Sequence, residues 1–203
     1  MKLYASPTSP YARFVRVVLL EKELNPRVTP VWVNPWESTE ALLAVNPFSR
    51  IPVLEVDDGT PLAESAVIVL YLERRFPEPR LMPLDRVEHV HRKLGLAQGL
   101  MDAAVAVVAH RRFHGDSGDD PVVKRRLEAL ARALPVADEA VRPLIDRPDL
   151  GSLALACALG YLDFRLPELD WQATTRKLPG WYRAIAERES LANTLPTLEQ
   201  PAI

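Results

Sequence analysis

Three aliphatic hydroxyls and a phenol crowd Ser6-Pro7-Thr8-Ser9-Pro10-Tyr11, and Glu64-Ser65 pairs a carboxylate with a hydroxyl. Both stretches have the form of a helix start. Ser caps a helix by accepting a backbone N–H, and Pro at the first helical position loses no needed donor. Ser9 and Ser65 therefore read first as N-caps. A helix N-terminus also favours a bound anion, which is compatible with a cap. His110 and His114 stand four apart and share a face of a continuing helix. That supplies two metal ligands, whereas zinc takes three or four, and no third is evident. No metal site is expected. Cys157, the only cysteine, lies in an all-apolar segment and reads as a buried small hydrophobe. It excludes an intramolecular disulfide and a Cys-rich zinc site.

The remaining composition narrows the function further. The chain has 203 residues, 25 Lys+Arg and 27 Asp+Glu, for a formal charge of −2. Neither half is strongly basic, and Arg111-Arg112 is too small a patch for nucleic acid. Nucleic acid and membrane surfaces are not expected partners. Lys2-Leu3-Tyr4-Ala5 is not a signal peptide. The longest apolar run, 153–159, is too short to span a bilayer. The expectation is a soluble, cytoplasmic chain.

The elements that must position these residues fall into two kinds. Residues 2–5 read as a strand. A helix opens at Ser9-Pro10, keeps Phe14, Val17, Val18 and Leu24 on one side, and ends at Asn25-Pro26. Residues 28–33 read as a second strand, 39–45 as a short helix and 53–56 as a third strand. Asp57-Asp58-Gly59 signals a hairpin turn into Pro61-Leu62. Residues 65–76 read as a helix with Val67, Leu70 and Tyr71 inward. This βαβαββα order is the layout of a thioredoxin-like domain, with a parallel pair followed by an antiparallel hairpin. Pro77, Pro79 and Pro83 mark 77–86 as a linker. Strand signals then stop, so 87–203 reads as an all-α helical bundle. It has long helices over 84–113 and 121–145, with a loop at 115–120. Pro135 should kink or break the second of these. A fully apolar helix over 152–164 and a short helix over 178–189 follow. The fold class expected is α/β plus all-α, with a thioredoxin-like domain over 1–76.

The motifs make this more specific. Asn46-Pro47-Phe48-Ser49-Arg50-Ile51-Pro52-Val53-Leu54 resembles the segment leading into the third strand of cytosolic glutathione transferases. Glu64-Ser65 resembles that family's signature at the start of its third helix. Ala156-Cys157-Ala158-Leu159-Gly160-Tyr161-Leu162-Asp163-Phe164-Arg165 resembles its buried helix, and Trp181-Tyr182 with Thr194-Leu195-Pro196 its C-terminal end. The resemblance spans essentially the whole chain.

It implies a glutathione transferase, with glutathione as co-substrate and a small hydrophobic electrophile in an apolar cleft between the domains. It also implies a homodimer and a detoxifying role. Pro52 would follow a cis peptide bond, leaving the N–H and C=O of Ile51 to pair with glutathione as an extended strand would; the alternative is a proline that merely starts an edge strand. Ser65 and its helix would hold the γ-glutamyl carboxylate, and Glu64 would accept from the ammonium. Asp102 would reach that ammonium across a dimer, or else be a solvated helix charge. Arg50 would approach the glycyl carboxylate, or be an exposed loop charge; Asn34 is a weaker candidate of the same kind.

Family members activate the thiol with Tyr, Ser or Cys after the first strand, and Ser9-Pro10 aligns with the Ser type. A free thiol has a pKa of about 8.5. Lowering it by two units takes about 2.7 kcal/mol. One hydrogen bond to a charged group supplies about 1.5–3 kcal/mol, and a helix N-terminus about 0.3–1 kcal/mol. One hydroxyl at the helix start is therefore enough. Ser9 is the expected activator, with Ser6 and Thr8 as fallbacks and Tyr11 lining the electrophile pocket. Tyr4 lies inside the strand and is not the expected catalytic Tyr. No Cys stands here, which argues against glutaredoxin-like exchange. Two other readings remain open. One is a non-catalytic interaction protein of the stringent starvation protein A kind; the other is a glutathione-dependent isomerase, dehalogenase or peroxidase. One departure stands out: Ser152 is followed at the third place by Leu155, where the family has Asp, and Asp149 or a water would have to substitute.

Overall fold

The structure, a computed structural model, describes residues 1–115, 120–142 and 148–198. The chain forms two compact units. The first comprises 1–82 together with the tail from Glu189, and the second runs from Pro83 to Arg188.

The first unit is built on a four-stranded sheet in the order β2-β1-β3-β4, with β1 at Lys2–Ala5, β2 at Thr29–Trp32, β3 at Val53–Glu55 and β4 at Pro61–Ala63. β1 and β2 are parallel, while β3 runs antiparallel to β1 and to β4. The crossover between the parallel pair is α1, Pro10–Glu21. It ends earlier than Asn25-Pro26 suggested, because Glu23 turns the chain at φ 56° and a short 3₁₀ turn holds 25–27. α2, Glu40–Val45, packs Leu42 against Tyr4 and Val53 on one face of the sheet. Burying a leucine of this kind stabilises by about 1.5–3 kcal/mol. α3, Ser65–Arg75, packs on α1.

The phase of α3 differs from expectation. Ile68, Val69 and Leu72 are buried, whereas Val67 and Leu70 are exposed. Residues 66–72 are apolar at every position, so helical periodicity carries no phase there. The register of β4 and the turn at Glu64 set it instead.

The second unit is helical. α4 runs Val87–His114, α5 Pro121–Ala140, α6 Leu150–Arg165, α7 Trp171–Thr174 and α8 Leu178–Ala186. α5 opens with Asp120 accepting from Val122 and Val123 N–H groups and Pro121 at the first position. Of the kink or break expected at Pro135, the break does not occur, and the helix continues to Ala140. Pro135 removes one internal hydrogen bond, and buried Leu130, Leu134 and Ala137 on either side hold the helix together. The helix ends at Ala140, earlier than the expected 145, because Val141 turns to extended backbone at ψ 147°; most of the loop at 115–120 lies outside the described residues. The helix expected over 178–189 ends at Ala186, and Glu189–Ala192 forms a separate α9 in the first unit.

α6 is buried on all sides from Leu150 to Leu162. Its start answers the missing Asp. Asp149, not Ser152, is the N-cap, and it accepts from the Ser152 N–H at 2.8 Å. Lys93 on α4 joins both residues, donating to Asp149 Oδ2 and Ser152 Oγ at 2.7 Å each. The acid and the hydroxyl have exchanged places in the cap.

Candidate functional site

The two ladders that flank β3 converge on Ile51-Pro52. β1 pairs Tyr4 with Val53, and β4 pairs Ala63 with Val53. Continuing these registers sets Ser6 and Ser65 on either side of Ile51, and Glu64 beside Pro52. The Ile51–Pro52 peptide is cis. The Ser6–Ser9 turn, the cis proline and the start of α3 thus form one end of the sheet.

At the first corner, Ser9 caps α1 as expected. Its Oγ accepts from Ala12 N–H at 3.2 Å, with Pro10 at the first helical position. A hydroxyl that accepts there keeps its own proton to donate outward, beside the positive end of the helix. Ser6 Oγ and Thr8 Oγ1 lie 3.4 Å apart. Ser6 is buried, whereas Thr8, Ser9 and Tyr11 are half-buried. Tyr4 sits in the core of the sheet, and its hydroxyl donates to Glu55 Oε2 at 3.2 Å. Burial, with the Glu55 carboxylate beside it, pushes its pKa up. It is a structural tyrosine.

At the second corner, buried Asn46 shapes the loop. Its Nδ2 donates to the Arg50 carbonyl at 2.8 Å and its Oδ1 accepts from Phe48 N–H at 3.1 Å. Ser49, at φ 50°, donates from Oγ to the Pro35 carbonyl at 3.1 Å. Asn34 uses both ends of its amide locally, donating to Glu37 and accepting from Trp36 N–H. The sequence signal for the Asn46 role was its place before Pro47, where Asn forms local turns.

At the third corner, Ser65 is the first helical residue and Glu64 occupies the cap position, one residue earlier than expected. Glu64 has φ 71° and its carbonyl accepts from Ile68 N–H at 3.0 Å. A non-glycine residue there carries strain on the order of 1–3 kcal/mol, and such strain clusters at ligand sites. No side chain caps this end of α3. Its first N–H groups are therefore left for water or a ligand anion. Arg50 Nη1 stands 3.4 Å from Glu64 Oε1.

Residues 3–80 match the family model for the glutathione S-transferase N-terminal domain. An uncharacterized GST-like protein, YibF, of Escherichia coli is 32% identical, over 97% of this chain and 98% of its own length. The chain belongs to the cytosolic glutathione S-transferase superfamily. A solved glutathione transferase family member from Pseudomonas fluorescens, with bound glutathione, superposes with a TM-score of 0.89 at 33% identity, covering 97% of this chain and 99% of that one. A stringent starvation protein A homolog of Coxiella burnetii is 31% identical over 98% of this chain and 93% of its own.

On this glutathione S-transferase scaffold, Asp102 lies exposed on α4 in the second unit, where Gln98 Nε2 donates to it at 3.2 Å. Cys157 is fully buried on α6. The rings of His110 and His114 stack at 4.6 Å, and His110 Nε2 is 3.4 Å from Asp120 Oδ2. Among the described residues no group of three His, Cys, Asp or Glu side chains is placed to hold a metal, and no helix is long and apolar enough to cross a membrane.

Proposed function

We propose that the protein is a cytoplasmic glutathione transferase that binds glutathione in its first unit and activates the thiol with Ser9. The observation that carries this reading is the pairing of Arg50 with Glu64 at the uncapped start of α3, beside the cis proline. The γ-glutamyl carboxylate takes the free N–H groups of α3, the Ser65 hydroxyl and the Arg50 guanidinium; Glu64 accepts from the ammonium. Ile51 pairs with the peptide backbone. The Ser9 hydroxyl donates to the sulfur, so the thiol releases its proton to water near neutral pH. The thiolate then attacks a small hydrophobic electrophile near Tyr11, forming a carbon–sulfur bond either as a leaving group departs with the bonding electrons or, at an activated double bond, as the neighbouring carbon takes a proton from water. Arg50 in this reading serves the γ-glutamyl end.

The same reading makes the protein a homodimer in which Asp102 of a second copy reaches the ammonium. Exposed apolar side chains support it: Phe48 is 79% exposed, and Val67 and Leu70 are also open. An apolar groove of about 260 Å³ between α4 and α5, lined by Gly95, Gly99, Ala103, Ala129 and Ala133, is a further surface for a second copy to cover. Sedimentation tests the oligomeric state.

The Coxiella relative supports a second reading, a non-catalytic interaction protein. Titration calorimetry with glutathione, followed by turnover of an activated aryl halide, separates the two. Binding with conjugation supports the enzyme. Binding without turnover on a panel of electrophiles, or no binding, favours the interaction protein.

A further inference from the structure

We propose that Arg13 is a positioning residue for Ser9, acting by fastening α1 to the chain's tail at 189–194; this rests on Ser9 activating the glutathione thiol. Arg13 is 2% exposed. Its backbone N–H donates to the Ser9 carbonyl at 3.0 Å, closing the first helical turn on the residue that carries the hydroxyl. Its side chain goes to the tail. Nη2 donates to the Leu191 carbonyl at 3.1 Å and Nε to Thr194 Oγ1 at 3.5 Å. The Thr194 hydroxyl donates to the Ser190 carbonyl at 2.8 Å, and the Ser190 hydroxyl donates to the Glu21 carboxylate. Arg13 and Glu21 lie eight residues apart on α1, about 12 Å along the axis. The tail therefore grips α1 near both ends.

Packing alone does not call for an arginine here. Taking a charge out of water is costly, and apolar side chains fill buried slots at least as well. Arg13 Nη1 is buried with no hydrogen-bond partner among the described residues, which adds to the cost. What the guanidinium adds is direction. Its planar fork fixes the bearing of α1 against the tail more tightly than a hydrophobic contact does. Ser9 sits at the end of α1 that this fork steadies. A hydroxyl that must meet a thiolate has to be held within about 0.5 Å of its productive place. The tail, nearly the whole length of the chain away in sequence, supplies that hold.

The test is a double-mutant cycle read by the bound thiol's pKa, from the ultraviolet absorbance of glutathione thiolate at saturating glutathione. Arg13→Lys keeps the charge and loses the fork. Thr194→Val keeps the shape and loses the hydroxyl, and it stands in if Arg13→Lys fails to fold. Each is expected to raise the bound thiol's pKa by about half to one unit, a fraction of what one charged hydrogen bond provides. Neither is expected to raise it further in a Ser9→Ala background. A folded variant with a lowered Tm and an unmoved pKa would overturn the proposal, leaving Arg13 a plain anchor. An equal rise in both backgrounds would also overturn it, since Arg13 would then act without Ser9. If Ser9→Ala alone leaves the pKa unmoved, the activation reading falls and this proposal with it. If Ser9→Ala raises the pKa and the Arg13 and Thr194 variants do not, only this proposal falls.

Discussion

The guanidinium of Arg50 stands 3.4 Å from the carboxylate of Glu64, across 14 residues of sequence. Both side chains are mostly exposed, at 65% and 57%. An ion pair this open contributes at most about 1 kcal/mol to folding. Its two charges are opposite in sign and adjacent, which suits a zwitterionic amino-acid group. Arg50→Ala should therefore leave thermal stability nearly unchanged and weaken glutathione about tenfold, the loss of one charge-assisted hydrogen bond. Calorimetry and a melting curve on the same sample check this.

The double variant Glu64→Ala with Ser65→Ala removes the ammonium acceptor and the hydroxyl at the α3 start. Two such hydrogen bonds correspond to about a hundredfold in affinity. Unaltered binding would discard the γ-glutamyl assignment.

Ser9→Ala separates binding from activation. Glutathione affinity should stay within a few-fold, while the bound thiol's pKa rises by about one to two units. Losing the cap on α1 should also cost about 1 kcal/mol of stability. Urea unfolding reads the second effect independently of the first.

The cap of α6 predicts a graded stability series. Asp149→Asn keeps an acceptor for the Ser152 N–H and loses the charge opposite Lys93. Asp149→Ala loses both and leaves a partly buried ammonium without its carboxylate, at about 3 kcal/mol or more. Gly151→Ala should rank with the severe variants. A Cβ there would stand 2.5 Å from the Val90 carbonyl oxygen and 2.7 Å from Lys93 Cβ. Chemical denaturation of the three variants sets the order.

Asp163 gives a pH signature. Asp163 is exposed as a residue, but its carboxyl is partly desolvated where it meets Trp171; this, partly offset by hydrogen bonding from Trp171 and Gln172, pushes the carboxyl above the ordinary 3.8. The folded state therefore holds the proton more readily than the unfolded chain, and the ionised group weakens folding as pH rises through the raised pKa. Asp163→Asn retains an acceptor for the Trp171 Nε1 bond of 2.7 Å. It should raise Tm at neutral pH, and the gain should vanish below about pH 3.8, where both states are protonated. A gain that persists unchanged in acid would contradict the assignment.

Much of the fold was legible because local chemistry and tertiary structure agree. Ser9-Pro10 starts α1, Asp57-Asp58-Gly59 turns β3 into β4, and the all-apolar stretch around Cys157 is the buried α6. Three features were not legible, each for a physical reason. The phase of α3 is hidden by an unbroken apolar run, and the register Val53↔Ala63 decides it. The displacement of Ser65 into the helix depends on Glu64 adopting φ 71°, which no propensity favours for Glu. The tail's return to α1 is carried by Arg13 and Thr194, 181 residues apart, and a single sequence holds no signal for such a pairing. At the site, the sequence pointed to the corners. The closeness of Arg50 to Glu64 needed the ladders on both sides of β3.

The most direct measurement is a pH titration of the ultraviolet absorbance of glutathione thiolate on the purified protein, against free glutathione. If Ser9 activates the thiol, its bound pKa lies about two units below the free value of about 8.5 and rises toward that value in Ser9→Ala. A bound thiol that titrates as it does in water, at saturating glutathione, would contradict that activation.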